Sequence, residues 1–251
     1  MTWNRRQSYT LFLDLSNFTL ILAERMASIP RMHTRSEENT LKAIFTLGQR
    51  TGKGASTTAI ARRLETKASS VTDMVKRLSD KGLVDHRPYH GVSLTDDGQR
   101  VATRIIRRHR LWETFLVNHL NYRWDEVHDL AEQLEHIRSD DLHDRLERFM
   151  DHPRFDPHGD PIPDRNGNMA DVDGALPLSK VERNTLVHII RVKDSSPEFL
   201  KLLDGLGLRI GTQLTVNRRF DFDNSVEVSS RLRQGLLLNE KVCANLLVKA
   251  L

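Results

Sequence analysis

His109 and Glu113 stand four residues apart, and about one helix further on His128, Glu132, Glu135 and His136 repeat the same kind of spacing. At 3.6 residues per turn, positions i, i+4, i+7 and i+8 share one face of a helix. The second set lies between Asp125, read as the N-cap, and Ile137, where Val127, Leu130, Ala131, Leu134 and Ile137 form an apolar side. This segment is expected to pack on one face and to offer imidazoles and carboxylates on the other. Mixed nitrogen and oxygen donors suit a divalent first-row metal. Buried carboxylates and imidazoles need partners, and one dication satisfies several at once. A solvated polar face with incidental histidines is the competing reading, and two sets on neighbouring helices favour the metal.

The residues before this constellation have a different chemistry. Residues 31–110 carry 17 Lys and Arg against 8 Asp and Glu, a net of +9, whereas residues 111–251 carry 18 against 24, a net of −6. A basic block beside an acidic one suggests a polyanion for the first and cations for the second. Within the basic block, Ser36–Gln49 reads as a helix with Leu41, Ile44, Phe45 and Leu47 inward. A short helix follows over Thr57–Leu64, then a turn over Glu65–Ala68, then a helix over Ser69–Asp80 that Gly82 ends. Two short strands, Leu83–Arg87 and Val92–Leu94, flank a turn at Pro88–Gly91.

That order predicts a winged helix-turn-helix over residues 32–95. Ser69, Ser70, Thr72, Lys76 and Arg77 face outward on its second helix, with Lys67 just before it. Short side chains at the helix start permit close approach to DNA, and Lys76 and Arg77 suit phosphates. Ser56 and Thr57 can donate to a phosphate at the positive end of the preceding helix. Arg87, Tyr89 and His90 belong to the wing. With no Asn or Gln early on the reading face, shape and phosphate contacts are expected to carry much of the specificity.

Residues 1–31 read as an N-terminal extension. Arg5 and Arg6 precede an apolar stretch, but Asp14 and Asn17 interrupt it and Glu24-Arg25 follow without a small-residue cleavage site. An amphipathic extension, or an upstream start with the natural one at Met26 or Met32, is expected. No apolar run reaches the ~18 residues of a membrane span, so no membrane partner is expected. The lone Cys243 forms no internal disulfide and fits a reducing, cytoplasmic setting. Beyond the wing, a long helix capped by Thr95 and a third helix capped by Ser139 complete a helical region over residues 96–152. Residues 153–178 hold Pro153, Pro157, Pro161, Pro163 and Pro177 and read as a mobile linker. Short strands at Thr185–Val192, Gln213–Phe220, Val226–Leu232 and Leu236–Leu238, with a helix near Pro197–Leu203, predict a small β-barrel over residues 179–251.

Three function classes compete: a metal-responsive regulator, a metal-independent winged-helix DNA binder whose C-terminal half meets a protein, and a metallohydrolase. Glu132-Gln-Leu-Glu135-His136 differs by one residue from the H-x-x-E-H peptidase pattern. The missing histidine removes the two-imidazole grip, and no nucleophile or oxyanion arrangement accompanies it, so an enzyme is not expected.

Together, the winged module, His109-Arg-Leu-Trp-Glu113, His128-Asp-Leu-Ala-Glu-Gln-Leu-Glu-His136 and Asp156-Pro-His-Gly-Asp-Pro-Ile-Pro163 resemble the diphtheria toxin repressor family. The likeness is nearest to manganese transport regulators that keep a C-terminal domain. It implies a mainly α (α+β) protein: winged helix-turn-helix, helical metal-binding and dimerisation domain, and SH3-like C-terminal domain. It implies a homodimer that binds double-stranded operator DNA when loaded with metal, most often repressing manganese or iron uptake.

The resemblance assigns Glu132, Glu135 and His136 to the primary metal site and His109, Glu113 and His128 to an ancillary one, with Asn39 at the first-helix ligand position and Glu198 at a C-terminal one. Lys42 falls where manganese sensors have an acidic ligand, and it cannot bind metal. The oxygen-rich set puts Mn²⁺ first and Fe²⁺ second.

Overall fold

A computed structural model of the chain describes residues 33–51, 54–87, 91–172 and 174–251, with the backbone alone at residues 50, 51 and 87. The expected extension over residues 1–31 and the wing tip Tyr89 and His90 lie outside the described residues, as does the side chain of Arg87. Residues Arg35–Leu251 form one compact unit.

Helices α1 (Arg35–Thr51), α2 (Thr57–Arg63) and α3 (Ala68–Asp80) precede a hairpin of β1 (Val84–Arg87) and β2 (Gly91–Leu94). The hairpin runs in register from Val84 opposite Leu94 to Arg87 opposite Gly91. Leu41, Ile44, Ile60, Val71, Val75, Leu78 and Val92 bury together as one core. Their spacing makes the helices form: each contributes one apolar stripe, and the stripes are stable only against one another. Ser56 caps α2, its Oγ accepting from the Ala59 N–H at 3.1 Å. Ala55 exchanges two 2.8 Å backbone bonds with Val92, tying the wing to the helices.

The spine of the molecule is α4 (Asp96–Leu120), 25 residues long. Thr95 caps it, accepting from the Gly98 N–H at 3.1 Å, and Asp96 and Asp97 complement its positive end. Its first half donates Ala102 and Ile106 to the core of the DNA module. Further along, Leu111 joins Leu146 and Ile162 in a second cluster, and Val117 packs against a third. Helix α5 (His128–Leu134) and helix α6 (Asp140–Phe149) lie against it. Arg107 on α4 reaches Asp144 at 3.1 Å and Glu147 at 2.8 Å on α6.

Two expectations need correction here. The metal-bearing helix is shorter than Asp125–Ile137. Its N-cap is Val127, and Asp125 is buried and bonded to Arg123 Nε at 2.9 Å. The Pro-rich stretch is also packed in its first half rather than loose. Asp156, His158 and Ile162 are buried, and Phe155 bridges Pro161. Gly159 shows why: at φ +84°, an added Cβ would lie 2.0 Å from the Ile190 carbonyl oxygen. Only glycine lets the loop approach so closely.

The C-terminal part is a six-stranded antiparallel sheet in the order β3-β8-β4-β5-β6-β7. Its strands are β3 (Leu176–Pro177), β4 (Leu186–Val192), β5 (Gln213–Arg219), β6 (Val226–Ser230), β7 (Leu236–Leu238) and β8 (Leu246–Ala250). Helices α7 (Pro197–Leu206) and α8 (Glu240–Asn245) accompany them. Alternating burial along β4 and β5 sends Val187, Ile189, Leu214 and Val216 into one core. Trp124, from the loop after α4, joins that core and anchors the sheet to the helical region. Among the described residues, no helix is long and apolar enough to cross a membrane.

Candidate metal centre

Four segments converge on one buried patch. Helix α4 presents His109 and Glu113 one turn apart, helix α5 presents His128 and Glu132, and Glu135 is the residue that caps α5. Helix α1 contributes Glu38 and Lys42. The Pro-rich loop contributes Asp156 and His158. His109, Glu113 and Glu135 are all buried.

The His109 ring stands between two groups of donors. Its Nε2 lies 3.0 Å from Glu113 Oε1, and its Nδ1 lies 2.6 Å from Glu135 Oε2. On the Nε2 side, His128 Nδ1 comes within 3.4 Å of Glu113 Oε1. The two rings meet edge to face, with centroids 4.9 Å apart. The other carboxylate oxygen of Glu113 faces a further group. Oε2 is 3.8 Å from His158 Nδ1, which is itself 4.0 Å from Asp156 Oδ1. His158 Nε2 points the other way, 2.8 Å from the Trp124 carbonyl, and its ring stacks on the Trp124 indole. Arg110 on α4 approaches Asp156 at 3.5 Å and Asp160 at 3.6 Å.

Three donor groups result: His109–Glu113–His128, His109–Glu132–Glu135 and Glu113–Asp156–His158, each with its donor atoms within 4.8 Å of one another. Such separations suit first-row cations, whose ligands stand ~2.0–2.2 Å from the metal. One acceptor supports the fit. Glu135 Oε1 is buried with no hydrogen-bond partner, a costly state unless something positive completes it. Asn39 Oδ1 on α1 is likewise buried without a partner, and Asn39 stands outside the three donor groups.

The electrostatics show how crowded these charges are. Burial works against a charged His109, yet the pull of Glu113 and the bonds to Glu113 and Glu135 outweigh burial and the nearby Lys42, and its pKa rises. Glu113 is likewise penalised by burial, and the His109 charge together with bonds from His109, His128 and His158 holds it well below the usual carboxylate range. Burial, then Asp160 and Glu113, push Asp156 up to about 7. His158 rises to about 9 because its bond and attraction to Glu113 overcome its burial. Glu132 is lowered: burial opposes its charge, but Lys42, His109 and His128 favour it more.

The sequence-selected residues do not all converge. His109, Glu113, His128, Glu132 and Glu135 do. His136 bonds Glu38 Oε2 on α1 through Nδ1 at 2.6 Å while its Nε2 stands 4.0 Å from Glu135 Oε1, and neither it nor exposed Glu198 enters a three-donor group among the described residues. Asp156, His158 and Glu38 were missed as participants. The signal for the first two was present in Asp-Pro-His-Gly, a short run pairing a carboxylate with an imidazole inside a stretch read for its prolines and its family likeness but not for ligands. Lys42 is the largest surprise. Its Nζ lies 2.8 Å from Glu132 Oε1, 2.7 Å from Glu135 Oε2 and 3.1 Å from His109 Nδ1.

On the DNA module, Lys67, Ser69, Ser70, Thr72, Lys76 and Arg77 are all exposed along α3, as is Ser56, while Thr57 is half-buried. The Ser56 oxygen is engaged in capping, which leaves its hydroxyl proton free to donate.

Comparison with known proteins places this geometry. Three family models match in succession: the iron dependent repressor N-terminal DNA binding domain over residues 32–92, the iron dependent repressor metal binding and dimerisation domain over residues 95–164, and the FeoA domain over residues 176–250. The chain is 30% identical to the diphtheria toxin repressor of Corynebacterium efficiens over 166 residues, 62% of this chain and 72% of that protein. It is 43% identical over 88 residues to a probable metal transport system membrane protein of Chlamydia trachomatis, and that stretch is 35% of this chain but 19% of the relative. A manganese-dependent transcriptional repressor solved in complex with manganese aligns with a TM-score of 0.79 at 35% identity, covering 86% of this chain and 100% of that one.

Proposed function

The chain belongs to the diphtheria toxin repressor family, whose models it matches as iron-dependent repressor domains, and from that membership we propose a metal-dependent transcriptional repressor that grips operator DNA as a homodimer in the cytoplasm. Mn²⁺ is the leading metal and Fe²⁺ the second, because oxygen donors dominate the clusters and no thiolate joins them among the described residues.

The observation that carries this reading is the shared use of His109 and Glu113. Each belongs to two donor groups, and the groups draw on α4, α5 and the Asp156–His158 loop beside α1 of the DNA module. When bound, a divalent cation would supply the positive charge that lets these carboxylates stay ionised and close together. His109 and Glu113 fix the ring and carboxylate positions from the spine helix. His128 closes the group from α5, and Asp156 and His158 close the neighbouring one from the loop. Because α4 also carries Ala102 and Ile106 into the DNA module, a change in its packing at His109 reaches α3. Pinning α4 selects, from the range of module orientations, the one in which two copies of α3 meet successive major grooves. A coupling of ~1–3 kcal/mol, roughly 5–150-fold in affinity, is ordinary for such a switch.

Gel-shift titration with and without Mn²⁺ tests this. Tighter operator binding with Mn²⁺ is the expected result, and equal affinity ends the proposal. Lys42 favours a second reading, a metal-independent winged-helix DNA binder, because it already bridges α1 to the helical domain; that reading gains if the two titrations coincide. The diphtheria toxin repressor and the manganese-dependent repressor matched above are named as repressors, and nothing favours the metallohydrolase.

A further inference from the structure

We propose that Lys42 is the resident cation of the Glu132–Glu135–His109 group, so that this group takes no metal and ties the DNA module to the helical domain permanently. The proposal rests on the metal-centre reading above and narrows it, by dividing the donors into two kinds.

An ammonium has three N–H bonds to give and no lone pair. The Lys42 Nζ gives two of them to Glu132 Oε1 at 2.8 Å and Glu135 Oε2 at 2.7 Å, and stands 3.1 Å from His109 Nδ1, which itself donates to Glu135. A cation placed among the same three atoms would occupy the position of Nζ, so the two exclude each other. The side chain is only 12% exposed and that of Glu135 is fully buried. Withdrawing the ammonium would leave the buried Glu135 carboxylate with His109 Nδ1, at 2.6 Å, as its remaining hydrogen-bond partner, and losing one partner of a buried charge is strongly destabilising. A dication beside Nζ would meet like-charge repulsion at close range. The Glu113 groups keep their donors, because Lys42 faces Nδ1 of His109 whereas Glu113 lies at Nε2, with His128 Nδ1 3.4 Å from the same Glu113 oxygen. Metal therefore enters through the groups built on Glu113. Lys42 belongs to α1 and its acidic partners to the α5 region, so the bridge holds whether or not metal is present.

Equilibrium dialysis of the full chain against Mn²⁺, with wild type and Lys42→Met side by side, tests this. The variant should bind one more Mn²⁺ per protomer than wild type. In chelator it should melt below wild type, and Mn²⁺ should close most of that gap. Equal metal counts, or equal melting in chelator, overturn the proposal. If Lys42→Met does not fold, wild type alone decides the matter through the acetylation rate of Lys42, read by mass spectrometry in chelator and in Mn²⁺. Slow modification under both conditions is expected; acceleration by Mn²⁺ means that metal displaces the ammonium, and overturns it. None of these measurements involves DNA, so loss of metal-dependent operator binding would count against the repressor reading and leave this one standing.

Discussion

At the scale of single residues, the metal centre is a problem of too much charge in too little water. Glu113 stays ionised in a buried site because three imidazoles, those of His109, His128 and His158, surround it. Asp156, a short distance away, cannot do the same and is pushed to about 7. The difference has a consequence for stability without metal. A group whose pKa is higher in the folded chain than in the unfolded one stabilises the fold below its unfolded value and ceases to do so as pH rises through its folded value. Asp156 moves from 3.8 to about 7 and His158 from 6.5 to about 9, so both slopes have the same sign. Glu113 has the opposite sign: its contribution is present above its ordinary value and is lost in acid. In chelator the melting temperature should therefore fall as pH climbs from 6.5 to about 9. Thermal melts across that window check this, and His158→Gln should flatten the upper part of the slope. A wild-type curve that is flat or rising there contradicts the assignment.

At the scale of elements, helical spacing revealed most of the site and failed where a helix ended. His109 with Glu113, and His128 with Glu132, lie one turn apart on real helices, so the four-residue interval was sufficient. Helix α5 stops at Leu134, and the next turn tightens as the Ile137 N–H bonds to the Leu134 carbonyl at 3.0 Å. His136 then bonds Glu38 through Nδ1 at 2.6 Å and keeps its Nε2 4.0 Å from Glu135 Oε1. Spacing alone cannot see that change of pitch. Lys42 was read through ligand chemistry, which rightly says that an ammonium does not coordinate metal; it does not say that the ammonium stays away. The winged module was legible because its turns and apolar stripes are local, whereas the packing of the Asp156–Ile162 loop depends on partners far away in sequence, at Trp124, Arg110 and Ile190. Gly159→Ala tests that packing. The substitution would place a Cβ against backbone at a positive φ, so the expected cost is about 2–4 kcal/mol. For a chain of this size that is a melting temperature lower by roughly 5–15 °C. Mn²⁺ affinity should weaken in the same variant, since Asp156 and His158 stand just before the glycine in the same loop. An unchanged melt would mean that the loop is not seated against β4.

At the scale of the whole molecule, the charge division becomes a division of labour. The net +9 of residues 31–110 contains the DNA module, and the net −6 of residues 111–251 contains much of the metal centre. Helix α4 joins the two, giving Ala102 to one core and Glu113 to the other site. If the exposed Lys76 meets a phosphate, its removal should weaken binding to operator and to unrelated DNA by similar factors, because phosphates carry no sequence. Its effect should grow as salt falls, since each neutralised phosphate contributes ~0.9 to the slope of log affinity against log salt. A homodimer presents Lys76 twice. In saturating Mn²⁺, Lys76→Ala should therefore reduce that slope by about 1.8, whereas a single bound protomer would lose only about 0.9. Glu113→Ala makes the contrast: it should abolish the response to Mn²⁺ yet leave the slope of the residual, nonspecific binding intact, because that carboxylate lies at the buried end of the same spine. Binding isotherms from 50 to 200 mM salt, a range of about 10³–10⁵ in affinity for a protein making 6–10 phosphate contacts, resolve a difference of that size. A slope unchanged by Lys76→Ala would place α3 away from the DNA backbone and leave the basic face of the module without its proposed partner.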